Sequence, residues 1–193
     1  MVWATENFPQ FTPLAYLEWE AQQDCRYEFV DSKVRPIPDE TCDRAIIAMT
    51  NFRNMLQEHL HCTICRVFGD DIKVQTLESD SFLYPDLSVS GDVHDRSANN
   101  FISHPCLIIE VLSPNTETYD RGEKFELYRQ SPRLQEYVVV SSDTIYLDVY
   151  RQPTAGLWEF SVYSSGDMVE LTSVNFTFEI DRVYNNIIFE IGT

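Results

Sequence analysis

Glycine is scarce in this chain, at six residues among 193. Folds that cradle a nucleotide phosphate use several glycines at fixed spacing, so that backbone N–H groups can approach the anion. No phosphate-binding glycine loop, dinucleotide fingerprint or Gly-x-Ser-x-Gly elbow is present, which disfavours nucleotide-cofactor folds. Long apolar runs are missing too. No stretch approaches the roughly 20 apolar residues that a membrane span needs, so no membrane partner is expected. Met1–Gln10 holds Glu6 and Pro9 and lacks a basic patch followed by an apolar block, so a secretory signal is not expected and a cytoplasmic location is. Cysteines number five, an odd count, and Cys106 sits inside an apolar run, so reduced thiols are expected rather than a disulfide framework. Basic residues are few as well: fourteen against thirty-one acidic ones, for a net charge of −17. Phosphate binding leans on Lys and Arg, so this balance weighs against nucleic acid unless a local basic patch, a metal or a partner supplies positive charge. Internal repeats, low-complexity tracts and Gly/Ser linkers are absent, and one domain spanning residues 1–193 is the expectation.

What is present suits a folded globular chain. Hydrophobic residues make up 44% and aromatics 13%, enough to fill a continuous core at this length. Thr12-Pro13, followed by Leu14, Leu17 and Trp19, predicts a capped helix to about Gln23. Tyr27–Val30, a turn at Asp31-Ser32-Lys33, then Val34 and Ile37 predict a hairpin. From Thr41 to Leu60 the apolar spacing predicts an amphipathic helix packed on a sheet. Strands are expected near Thr63–Phe68, Ile72–Thr76 and Phe82–Ser90, then a polar loop from Gly91 to Pro105. Cys106–Leu112 is nearly all apolar, the pattern of a strand covered on both faces. Asp120–Arg129 reads as a second helix, with Asp120 as N-cap and Glu123 completing a capping box. Strands at Leu134–Ser141, Thr144–Arg151 and Leu157–Tyr163 follow, with shorter ones near Val169–Thr172 and Phe176–Phe178. The fold class is α/β (α+β): a mixed sheet with helices on its faces.

Glu110 is the residue that calls for an explanation. It is the only charge in Cys106-Leu107-Ile108-Ile109-Glu110-Val111-Leu112. Strand alternation puts Ile108, Glu110 and Leu112 on one face and Leu107, Ile109 and Val111 on the other. A carboxylate in a doubly covered strand must be protonated, paired or bound to a metal. Tyr84-Pro85-Asp86-Leu87 supplies a second carboxylate, and Pro85 marks an edge, a bulge or a strand start. Lys124 shares a helix stripe with Leu127 and Tyr128, which turns its stem toward the sheet. Taken alone, it could equally form a surface pair with Asp120. Together, two carboxylates from neighbouring strands can hold Mg²⁺, which prefers oxygen ligands. A nearby lysine can position a nucleophile or stabilise charge on a phosphodiester.

Pro85-Asp86, Glu110-Val111-Leu112-Ser113-Pro114-Asn115-Thr116 and Asp120-Arg121-Gly122-Glu123-Lys124 with Tyr128 resemble a large bacterial family of restriction-endonuclease-like proteins. That family belongs to the PD-(D/E)XK nuclease superfamily. Arg26-Tyr27-Glu28 resembles its N-terminal acidic motif and Tyr137–Val140 its strand after the helix, so the resemblance covers roughly residues 12–185. It implies a restriction-endonuclease-like core, Mg²⁺ or Mn²⁺ at Asp86 and Glu110, Glu28 to orient a metal-bound water, Lys124 to support the nucleophile and transition state, DNA as substrate and a homodimer. The wider superfamily's Glu-x-Lys would put lysine at Leu112. Here that place is apolar, and Lys124 matches the helix lysine of the family instead. The turn at Asp31-Ser32-Lys33 also departs from the family, which usually has glycine there. A non-catalytic relative, acting as a dimeric interaction or regulatory module, is the alternative that the charge of −17 keeps open.

Other signals compete less well. His59, His61, Cys62 and Cys65 form a compact cluster open to a zinc or redox reading, but it straddles a helix end and a strand start, and ordinary packing is the expectation. His94 and His104 lie between the two carboxylate strands, near enough in sequence to approach the site, and carry no assigned role. Asp70-Asp71-Ile72-Lys73 is held in reserve as a further acid or lysine.

Overall fold

The computed structural model describes residues 10–37, 42–76, 80–97, 100–113, 116–154 and 156–189. Three of the positions quoted above (Thr41, Pro114 and Asn115) lie outside the described residues, as does the start of the chain through Pro9.

Helix α1 (Pro13–Glu20) opens as its sequence dictates, with the Thr12 hydroxyl accepting from the Ala15 N–H and Pro13 in the first turn. Strands β1 (Tyr27–Val30) and β2 (Lys33–Pro36) form the hairpin. Asp31 and Ser32 turn it with φ of 50° and 62°, a left-handed conformation that explains the glycine preference noted for this turn. The two-residue loop fixes the register, setting Glu28 directly across from Arg35. Helix α2 (Asp43–Leu60) buries Ala45, Ala48, Phe52, Met55, Leu56 and Leu60, one stripe at helical spacing.

The single strand expected over Phe82–Ser90 is two strands. β5 (Ser81–Leu83) and β6 (Leu87–Ser90) belong to different sheets, and the chain crosses between them at Tyr84-Pro85-Asp86. Proline cannot donate to a ladder, and the break falls where pairing would require it to. One sheet therefore becomes two large ones and a ribbon. The first has order β2-β1-β5-β4-β7, with β4 at Lys73–Thr76 and β7 at Phe101–Ile102. The second has order β11-β10-β9-β8-β6-β3, comprising β3 (Arg66–Phe68), β8 (Leu107–Val111), β9 (Glu136–Val140), β10 (Tyr146–Thr154) and β11 (Leu157–Ser164). β12 (Met168–Leu171) and β13 (Phe176–Glu179) pair as a ribbon. The expected polar loop over Gly91–Pro105 holds β7, parallel to β4, and a short 3₁₀ turn at His94–Ser97.

β8 lies antiparallel to β6 and parallel to β9, covered on both faces as its composition demands. Leu107, Ile109 and Val111 pack into one core cluster with α2 and the ribbon. Ile108 and Leu112 pack into the other, with Phe125, Tyr128 and Tyr137. The alternation read from the sequence holds residue by residue.

The helix after β8 differs from its expected form. It starts earlier, as α3 (Glu117–Tyr119), widens into a π turn at Asp120–Lys124, and resumes as α4 (Phe125–Tyr128). Asp120 is thus inside the helix and buried, not its N-cap. The Tyr137 hydroxyl on β9 donates to the Asp120 carbonyl at 2.8 Å and ties the turn to the sheet. Such π turns recur at functional sites, because the extra residue re-aims side chains.

Candidate active site

Glu28, Asp86, Glu110 and Lys124 come together where the two large sheets meet. Extending the β6–β8 pairing by one residue sets Asp86 across from Glu110. Each carboxylate accepts from the other strand: Asp86 N–H donates to Glu110 Oε2 at 3.3 Å, and Val111 N–H donates to Asp86 Oδ2 at 2.6 Å. The π turn brings Lys124 in from the helix side, with its Nζ 2.9 Å from Glu110 Oε1, 3.5 Å from Glu28 Oε1 and 3.6 Å from Asp120 Oδ1. It also donates to the Tyr84 carbonyl at 2.9 Å. The Asp120–Lys124 pair exists, but it is buried rather than on the surface.

The crossover is what makes this possible. Pairing stops at Tyr84 and Pro85, so the Tyr84 peptide groups are free to serve the site: its N–H donates to Glu28 Oε1 at 3.2 Å and its carbonyl takes Lys124. Glu28 is the hub of the second shelf. Its Oε2 accepts from Arg35, its hairpin partner, and from the Tyr119 hydroxyl at 3.0 Å. The Arg35 guanidinium in turn stacks on the Tyr119 ring, 3.4 Å from its centroid. Behind Tyr84, its hydroxyl donates to Glu20 at 2.6 Å and accepts from Lys73 at 2.9 Å, while Lys73 pairs with Glu20 at 2.9 Å. Lys73, held in reserve from the sequence, thus supports the crossover from behind.

Four carboxylates (Glu28, Asp86, Glu110, Asp120) face two cations, Lys124 and Arg35. The imbalance shows in their titration. Burial raises Glu110 well above the usual carboxylate range, against the pull of Lys124 and with the push of Asp120 and Asp86. Burial likewise lifts Asp86 to about 6, although Lys124 and the Val111 N–H pull it down. Asp120 is raised for the same first reason. Burial alone would lower Lys124, but Glu110, Glu28 and Asp120 outweigh it and hold the ammonium well above its ordinary value. Three carboxylates within 4 Å thus hold the Lys124 ammonium in place. Of these groups Asp86 is the least buried, although burial is still the largest influence on its carboxyl.

The oxygen donors fit a hard cation. Two desolvated carboxylates with surplus negative charge around them suit Mg²⁺ or Mn²⁺, and Asp86 with Glu110 are the pair that would hold it. Leu112, where a strand lysine would stand, is buried against the core cluster that includes Phe125.

Arg35, Tyr119 and the Tyr84 backbone are not marked out by the sequence, which offers Asp120 only as a helix cap or a surface partner of Lys124. Arg35 could have been, since a two-residue turn at Asp31-Ser32 puts it opposite Glu28. Other sequence signals resolve into packing. His59 bonds the Val174 carbonyl and stacks on Phe176, and His61 bonds the Glu58 carbonyl. His94 and His104 do not approach the carboxylate pair: they lie at the opposite end of β6, with Asp92. Among the described residues, no helix is long and apolar enough to cross a membrane.

The architecture has solved counterparts. The chain superposes on a putative nuclease from Anabaena variabilis with a TM-score of 0.71 at 18% identity, over 91% of this chain and 98% of that one. That likeness defines the class by fold alone: a mixed α+β architecture shared with that protein. The chain belongs to the Uma2 family, described as "Putative restriction endonuclease", whose model matches residues 13–181. An uncharacterized protein of Synechocystis is 35% identical over 182 residues, covering 94% of this chain and 95% of the relative. A second one is 28% identical over 160 residues, covering 82% and 89%.

Proposed function

We propose that this chain is a metal-dependent endonuclease that hydrolyses DNA phosphodiester bonds, with Mg²⁺ or Mn²⁺ held by Asp86 and Glu110. The observation that carries this reading is the surplus of carboxylates over cations at a buried site whose least buried member is Asp86. A bound divalent ion would supply Lewis acidity toward the phosphate and a more acidic water. Lys124, kept cationic by its three carboxylates, stands ready to offset charge that develops on the phosphodiester. Glu28 has both oxygens engaged by Arg35, Tyr119, the Tyr84 N–H and Lys124, so its part is to position Lys124 and the crossover. Asp120 shares that task. The unit is one domain spanning residues 1–193, cytoplasmic, and pairing as a homodimer would let two sites reach two strands.

The net charge of −17 favours a second reading: a catalytically inactive nuclease fold acting as a dimeric interaction or regulatory module. Calorimetric titration with Mg²⁺ and Mn²⁺ separates the two. The nuclease reading expects saturable binding by wild type and none by Asp86→Ala or Glu110→Ala. If wild type takes up no ion even at millimolar concentration, the enzyme reading fails and the module reading stands.

A further inference from the structure

A second candidate metal site sits at the other end of the strand pair. Asp92 leaves β6, His94 opens the 3₁₀ turn that follows, and His104 lies just before β8. One ligating atom from each of the three side chains lies within 4.8 Å of the other two. Asp92 Oδ1 faces His94 Nδ1 at 2.7 Å and also accepts from the His94 N–H at 3.0 Å. The His94 and His104 rings stack, centroids 5.2 Å apart. His104 Nδ1 is buried without a hydrogen-bond partner, with Asp95 Oδ1 3.5 Å away.

The frame around the three is built before any ion arrives. Asp95 is buried and accepts from the Ser90 hydroxyl at 2.6 Å, the Ser103 N–H at 2.9 Å and the His104 N–H at 3.0 Å. The Ser90 hydroxyl oxygen also lies 3.0 Å from the His104 carbonyl, and it takes the Asp92 N–H at 3.2 Å. Both ends of the connection are therefore fixed relative to each other, with the imidazoles presented between them.

We propose that Asp92, His94 and His104 bind one divalent transition-metal ion of the zinc class, which cross-links the exit of β6 to the entrance of β8. Two imidazoles and one carboxylate suit Zn²⁺, Co²⁺ or Ni²⁺ and are poorly matched to Mg²⁺, which takes oxygen. Tetrahedral zinc holds its ligands at about 2.0–2.1 Å and hence roughly 3.3 Å from one another, so Asp92 and His94 would open by about half an ångström. Because β6 and β8 run antiparallel, the strand ends carrying Asp86 and Glu110 lie opposite the clamped ends. The site is separate from the proposed Mg²⁺ pair and does not depend on it.

The test is titration of the full chain with Zn²⁺ by calorimetry, repeated with Co²⁺ by absorption. Wild type is expected to bind one Zn²⁺ that Glu110→Gln retains. His94→Ala and His104→Ala should each weaken that ion by at least about tenfold. Asp92→Asn should weaken it as well. Zinc should raise the unfolding midpoint of wild type and Glu110→Gln, but not of the histidine variants. The Co²⁺ form should show ligand-field bands without thiolate charge transfer. Wild-type affinity in both histidine variants, loss of the ion in Glu110→Gln, or a thiolate band placing it on the cysteines would each overturn the assignment.

Discussion

Replacing Lys124 by methionine, which keeps the volume and removes the charge, should unfold the account's electrostatics in a readable way. Its ammonium lies within 4 Å of Glu110, Glu28 and Asp120 and donates to the Tyr84 carbonyl. Stripping one partner from a buried ion pair costs about 3–5 kcal/mol, because the remaining charge has no compensation. Here three carboxylates would be left, so the upper part of that range is expected near pH 8. The pH dependence follows from sign. Losing Lys124 pushes Glu110, Asp86 and Asp120 further above their unfolded values, since Lys124 is what pulls each of them down. A carboxyl whose folded value is raised favours the folded state below the unfolded value, and that contribution is lost as pH climbs through the folded value. The penalty should therefore shrink to about 1–2 kcal/mol near pH 5, where the acids take up protons. Urea unfolding at pH 5 and pH 8 measures both. Adding Glu110→Gln to the variant should recover at least about 1 kcal/mol at pH 8, since one orphaned charge is gone. A loss below about 1 kcal/mol at pH 8, or an equal loss at both pH values, would refute the buried-charge reasoning.

Other outcomes are equally checkable. Asp86 is lifted to about 6, so protons compete with metal below that value. Mg²⁺ affinity should rise at least about tenfold per unit up to pH 6 and go on rising above it while Glu110, itself raised, gives up its proton, as followed by calorimetry from pH 5 to 8. Ser32→Gly should stabilise the chain by about 0.5–1 kcal/mol, because φ of 62° suits glycine, and should leave metal binding unchanged in the same titration. Leu112→Lys alone should cost more than about 2 kcal/mol, since it buries a second ammonium in an apolar cluster, while Leu112→Lys with Lys124→Leu should recover part of that loss in chemical denaturation.

What the sequence disclosed was what local rules decide. The faces of β8 follow from period-two alternation, and Glu110 stands out because an apolar strand makes a lone charge costly. The hairpin, both long helical stripes and the inward aim of Lys124 are also local. The crossover at Tyr84-Pro85-Asp86 is not, because which sheet each half joins depends on partners distant in sequence. Nor is the Tyr84 peptide's service to Glu28 and Lys124, as backbone groups carry no residue signature. Asp120 was misread for a definite reason: an aspartate three residues before a glutamate is a good cap locally, but the helix had already begun at Glu117. The two-sheet architecture and the Asp92–His94–His104 grouping arise only when the chain closes on itself.

The most direct measurement is cleavage of supercoiled plasmid and single-stranded DNA in Mg²⁺ or Mn²⁺ by wild type, Glu110→Gln, Asp86→Asn and Lys124→Ala. The account predicts metal-dependent cutting by wild type, suppressed by chelator and by each substitution. No cutting by well-folded, metal-loaded wild type, or undiminished cutting by Glu110→Gln and Asp86→Asn, would contradict it.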